Sequence, residues 1–212
     1  MKKNAIISVV IIVCIVVSSF ALSVSAQTVN IDETPDKIRI TVGSTVGMNL
    51  LETTQYNSRQ DTLIANRARK SPEETTNALI SFSSFLTATD TQELVDNVVA
   101  TTVYLWVPNK EGRCIIDVRN NNIEDSILEY FASVDYATLS SVQASDFTEL
   151  KENYGIFAVE VYGDYDSLNE LRKDQQVHQI ALFECPELVT RTMDVKKQVS
   201  YICIPDKPDG TY

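Results

Sequence analysis

One pattern occurs twice in the chain, and that repeat limits the fold more than any other feature. Leu79 to Val107 and Ile156 to Glu184 each run strand, capped helix, strand in about the same length. In the first stretch Ile80 and Phe82 share one strand face, while Leu79, Ser81 and Ser83 share the other. Thr89 or Asp90 caps a helix that begins at Gln92-Glu93 and carries the stripe Leu94, Val95, Val98 and Val99. Val103 to Val107 is the following strand. In the second stretch Phe157, Val159 and Val161 face one way, Gly163 ends the strand, and Asp164 or Asp166 caps a helix with Tyr165, Leu168 and Leu171. The next strand runs from Val177 to Glu184. A helix between two strands is long enough for a right-handed crossover.

The first unit continues through a hairpin turn, Asn109 to Gly112, into a returning strand, Cys114 to Val118. Asn120, Asn121 and Asn122 form a turn and cap, and Ile123, Ile127, Leu128, Phe131 and Val134 mark a second amphipathic helix. A hairpin strand and helix added to a strand–helix–strand unit make the ferredoxin-like arrangement. The expected fold is therefore α+β with two ferredoxin-like (split βαβ) modules, at residues 77–139 and 140–212. Each has an antiparallel sheet with helices on one face, the other face being left to water or a partner. Residues 27–76 read as an N-terminal strand and loop region, with a strand at Lys37 to Val42 and a helix at Asp61 to Lys70.

Residues 1–26 read as a signal peptide. Lys2 and Lys3 are its positive end, Ala5 to Val17 its apolar run, and Val24-Ser25-Ala26 its small-residue cleavage site. An uncleaved anchor over residues 4–26 is the rival reading, since that length spans a bilayer. Both place the rest of the chain outside the cytoplasm, in a secreted or cell-envelope location. The chain carries a net charge of −11, which becomes −13 once Lys2 and Lys3 are removed. With no long basic run, nucleic-acid binding by phosphate neutralisation is not expected. So acidic a domain also repels anionic lipid, so any membrane attachment runs through the N-terminal segment.

Three cysteines follow the signal: Cys114, Cys185 and Cys203. An odd number in an oxidising compartment leaves an unpaired thiol or an intermolecular bridge. Cys185 and Cys203 are the candidate disulfide, while Cys114 lies on one strand face with Ile116 and Val118 and reads as a small buried residue. The lone imidazole, His178, alternates with Ile180 and Leu182 and reads as a strand residue rather than a catalyst. Asp164 and Asp166 fit helix capping better than calcium binding. Gly43 to Gly47 lacks the Lys-Ser/Thr of a phosphate loop. No catalytic, metal or cofactor site is expected, and the oligomeric state is left open.

Tyr104 and Trp106 share one face of their strand, and Val103, Leu105 and Val107 share the other. Either the sheet is covered on both sides, or the two aromatics stand on an exposed face as interface anchors. Tyr104, Trp106, Phe157 and Tyr162 are the candidate interaction residues.

The strand ending in Gly163, the helix Ser167-Leu168-Asn169-Glu170-Leu171 and the strand from Val177 resemble the ferredoxin-like modules of subtilisin propeptide inhibitors. They are similar also to the extracytoplasmic parts of some bacterial anti-sigma factors. The resemblance covers about a third of the chain after residue 26. It implies an exported bacterial protein that works by binding. Only Met1 to Asn4 precedes the apolar segment, so a cytoplasmic sigma-binding domain is not expected. The expected function is a non-enzymatic, extracytoplasmic binding module for a protein or small-molecule ligand. The alternatives are a propeptide-like protease inhibitor acting through its tail, Asp206 to Tyr212, and a hydrolase using acidic residues.

Overall fold

The structure, a computed structural model, describes residues 31–33, 37–42, 50–106, 113–135, 141–183 and 198–203. Contacts divide the chain into Met1–Asn30 and Ile31–Tyr212, and every described residue belongs to the second unit. Its elements in chain order are β1 (Ile31–Glu33), β2 (Lys37–Val42), α1 (Leu50–Lys70), β3 (Thr75–Leu86), α2 (Ala88–Leu94) and β4 (Val99–Trp106). There follow β5 (Arg113–Asp117), α3 (Ile123–Ser133), α4 (Ser141–Asn153), β6 (Gly155–Asp164), α5 (Tyr165–Leu171), β7 (Val177–Leu182) and β8 (Gln198–Cys203).

Local chemistry sets the helix ends. Thr87 caps α2, its hydroxyl accepting from the Asp90 N–H at 3.1 Å, earlier than the Thr89 or Asp90 that the sequence pattern offers. Asn122 caps α3 through the Asp125 N–H at 3.0 Å, and Asp164 caps α5 through the Ser167 N–H at 2.7 Å. Helix α1 is twice the expected length and largely polar. Its last turn carries Arg67, Arg69 and Lys70, which suit the negative end of the helix dipole.

β2 pairs antiparallel with β1 and parallel with β8 in a three-stranded sheet. The larger sheet has the order β5-β4-β6-β3-β7, with every neighbouring pair antiparallel. Strands β3 and β4, joined through α2, both border β6. Strands β6 and β7, joined through α5, both border β3. Each crossover therefore skips one strand, and the skipped strand is the first strand of the other unit. Instead of two modules with a sheet each, the two repeats interleave in one sheet. A split strand–helix–strand unit leaves a slot one strand wide, whose backbone groups need partners. The other repeat fills that slot.

One face of this sheet packs against the helices. Ile80 and Phe82 of β3, Val103 and Leu105 of β4, Val159 and Val161 of β6 and Ile180 and Leu182 of β7 join Ile64, Ile127, Phe131 and Leu168 in one buried cluster. The middle of the opposite face is buried too, while its end at Asn77, Val99 and Tyr162 is exposed. Leu79, Tyr104, Ala158 and Ala181 lie there by strand alternation, Phe157 joins them at a bulge, and all five are closed to solvent. The expectation of one face left to water is thus met only at the Asn77–Val99–Tyr162 end. Of the two readings of Tyr104 and Trp106, a sheet covered on both sides is the one found at those two residues.

Register shifts between paired strands explain where simple alternation misplaces side chains. Ala100 pairs with Val161 and Thr102 with Glu160, so Thr101 is an extra residue in β4. Leu105 pairs with Ile156 and Tyr104 with Ala158, so Phe157 is extra in β6 and turns to the face opposite Val159. Phe82 pairs with Val177 and Ser81 with Gln179, so His178 is extra in β7 and lies on the surface, away from Ile180 and Leu182. Each extra residue inverts the alternation on one side of it.

Candidate binding groove along the β5 edge

The four aromatic residues singled out by the sequence do not form one exposed surface. Phe157 is 1% exposed, Tyr104 3% and Trp106 7%. The Phe157 ring is met edge-on by Phe85, Tyr104 and Trp106, with ring centres 6.1–6.5 Å apart. This packing belongs to the second face of the sheet. The Tyr104 hydroxyl donates to Oε1 of Glu160. Tyr162 alone is on the surface, at 44% exposure, and its hydroxyl lies 2.5 Å from Oγ1 of Thr75. Cys185 and the Asp206–Tyr212 tail fall outside the described residues, so the disulfide with Cys203 and the tail-based reading find no geometry here.

Groups with possible chemistry are spread out. His178 is exposed at its bulge. Asp164 is occupied as a cap, and the N–H of Asp166 donates to the Pro72 carbonyl at 3.2 Å. Among the described residues no cluster of three or more His, Cys, Asp or Glu could hold a metal ion.

A groove of about 240 Å³ lies where β5 meets α3. One wall is β5 and the residues after it: Ile115, Ile116, Asp117 and Arg119. The other is α3, through Ser126, Glu129, Tyr130 and Ser133. Those four recur at i, i+3, i+4 and i+7, one face of a helix. Consecutive strand residues line the groove because it runs beside the edge of β5 rather than over a sheet face. Among the described residues strand β5 pairs with β4 alone and ends the sheet.

The link between the two walls is short and fixed. Asn120 and Asn121 both sit at φ 53°, and Arg119 bridges Asn122 across them. This is the left-handed pair of a type I′ turn, a conformation that Asn tolerates better than most residues. Oδ1 of Asn121 accepts from the Ala100 N–H at 2.8 Å, tying the turn to β4. Oγ of Ser126 accepts from the Arg119 N–H at 2.8 Å and donates to the Asn122 carbonyl at 2.5 Å. The Ile123 N–H donates to Oε1 of Gln92 at 3.0 Å, so α2 also holds the start of α3.

Two polar pairs set the character of the groove. Arg119 and Glu129 form an exposed ion pair, Nη1 to Oε2, at 3.1 Å. Deeper in, the Tyr130 hydroxyl and the buried Cys114 thiol are hydrogen-bonded to each other. That bond, with burial, pushes the Tyr130 pKa up to about 12, and burial pushes the thiol up as well. Both groups are therefore neutral at physiological pH, and a protonated buried thiol is a poor nucleophile. Among the described residues the arrangement offers hydroxyls, a carboxylate at Asp117 without an ion pair and apolar surface at Ile115, but no activated nucleophile.

No family model matches the chain, and neither a curated protein nor a solved structure matches it. Sequence reading missed the groove residues. The spacing of Ser126, Glu129, Tyr130 and Ser133 is present in the sequence, but the expectation for that helix rests on its apolar stripe alone.

Proposed function

We propose that this chain is an exported, non-enzymatic binding module that holds a polypeptide partner outside the cytoplasm, and that the β5–α3 groove is the binding site. One observation carries the reading: a groove whose wall is the open edge of a sheet. Its volume of about 240 Å³ is below the roughly 300–1,000 Å³ of sites that enclose drug-sized molecules. A chain segment needs no enclosure, because it is held by backbone groups and by a few side chains along its length. The N-terminal apolar run, Ala5 to Val17, supports export. On this reading the scaffold is a single ferredoxin-like unit, β3-α2-β4 and β6-α5-β7, with β5, α3 and α4 inserted between its halves.

The test is affinity capture with residues 27–212 as bait on envelope and culture-medium fractions, run beside a Ser133→Trp variant that fills the groove. A stoichiometric protein held by the wild type and lost by the variant is the expected result. A partner retained equally by both, or a small molecule that raises the melting temperature of both, overturns it.

A further inference from the structure

We infer that the groove takes its partner by strand addition, as an extended segment hydrogen-bonded to β5, and that the preferred segment alternates apolar and basic residues on one face. This rests on the groove being the binding site and names the mode and chemistry of what binds there.

Backbone geometry supplies the first argument. The Val118 N–H donates to the Thr101 carbonyl at 2.8 Å, and the register between β4 and β5 runs unbroken from Thr102↔Asp117 to Trp106↔Arg113. Antiparallel ladders alternate between bonded and non-bonded residue pairs. Val118, Ile116 and Cys114 therefore spend their peptide groups on β4. The peptide groups of Asp117 and Ile115 point the other way, toward the groove. An extended segment laid there finds donors and acceptors at strand spacing, with α3 as the opposite wall.

Side chains supply the second. Ile115 is 47% exposed, an apolar residue on an edge strand that carries no proline and whose charged residues, Arg113 and Asp117, stand at its two ends. Asp117 is exposed and forms no ion pair among the described residues, whereas Arg119 is already neutralised by Glu129. The chain as a whole is strongly acidic at −11. A segment with an apolar residue opposite Ile115 and a basic residue two positions along, opposite Asp117, matches both. That net charge also opposes pairing of β5 with a second copy of this chain.

The experiment measures binding of a fluorescent octapeptide, Val-Thr-Lys-Thr-Val-Thr-Lys-Thr, to residues 27–212 by anisotropy at physiological salt, beside the same peptide with Glu for Lys. The Lys peptide is expected to bind the more tightly. Ile115→Pro removes one outward N–H while sparing the β4 ladder, and is expected to weaken binding about tenfold. Asp117→Lys leaves the backbone intact and is expected to shift preference toward the Glu peptide by about three- to fivefold. Unchanged affinity in both variants traces binding to net charge and overturns the inference. So does a captured partner that is lost with Ser133→Trp but indifferent to Ile115→Pro, a result that leaves the groove itself standing. A concentration-dependent dimer that Ile115→Pro dissociates makes a second copy the occupant and also overturns it.

Discussion

The Leu182 N–H of β7 donates to Oε1 of Gln60 on α1, 3.2 Å away. The two residues are far apart in sequence and both are buried. β7 is one end of the five-stranded sheet, and this bond gives one of its outward peptide groups a helix partner. The other end, β5, is the one left beside a groove. The two edges of the sheet are treated differently, and the functional reading follows from that difference.

Gln60→Ala is expected to lower stability by about 1–2 kcal/mol, because it leaves a buried peptide N–H unpaired. Chemical denaturation of the two proteins measures it. A loss below a few tenths of a kcal/mol means that the edge is not held by this side chain.

Gln179 presents the reverse case. It is buried on β7, and neither its Nε2 nor its Oε1 has a hydrogen-bond partner. Gln179→Met keeps the length of the side chain and removes both unsatisfied atoms. The expected result is equal stability or a gain of about 1 kcal/mol, read in the same denaturation experiment.

Gly163 lies where α5 and β6 meet, and a Cβ placed on it would sit 2.4 Å from Cγ1 of Val98. Val98 is buried, so it has little room to move. Gly163→Ala is expected to cost about 1–3 kcal/mol through overpacking. Combining it with Val98→Ala should recover part of that loss. Additive losses in the double variant would show that the clash is not the cause.

The Cys114–Tyr130 pair is expected to make stability fall in alkali. Both pKa values are raised by folding, the thiol by burial and the phenol to about 12 by its bond to the thiol and by burial. Protonated forms are thus favoured in the folded state, so the stabilisation is complete below the unfolded-state values. It is lost as pH rises through the folded ones. Unfolding measured from pH 8 to pH 12 should show a decline for the wild type that is shallower in Tyr130→Phe. In the native state at neutral pH, Cys114 should resist thiol reagents and react only on unfolding.

Much of the local structure is legible in the sequence, because it depends on neighbours. Asn122 and Asp164 cap the helices that the pattern assigns to them, and Ile80 and Phe82 share the face expected of them. What is not legible depends on distant pairing. Nothing in β3 alone says that its neighbours are β6 and β7, so the repeat reads as two modules when it is one interleaved sheet. The extra residues Thr101, Phe157 and His178 have no turn-type signature of their own. Alternation therefore puts Phe157 and His178 on the wrong faces. Helix α1 is missed over its first half because a polar helix held by Gln60 and Ile64 shows little apolar period. The groove is missed for a similar reason. Its helix wall is polar, and its strand wall is backbone.

The outward peptide groups of β5, at Ile115 and Asp117, are where a bound segment would hydrogen-bond. The deciding measurement is amide hydrogen exchange on residues 27–212, with and without the captured partner, resolved at single residues. Slowed exchange at Ile115 and Asp117, with Cys114 and Ile116 unchanged, is the predicted result. Protection centred on Val99 and Tyr162, the exposed apolar pair on β4 and β6, with Ile115 and Asp117 unaffected, would contradict it.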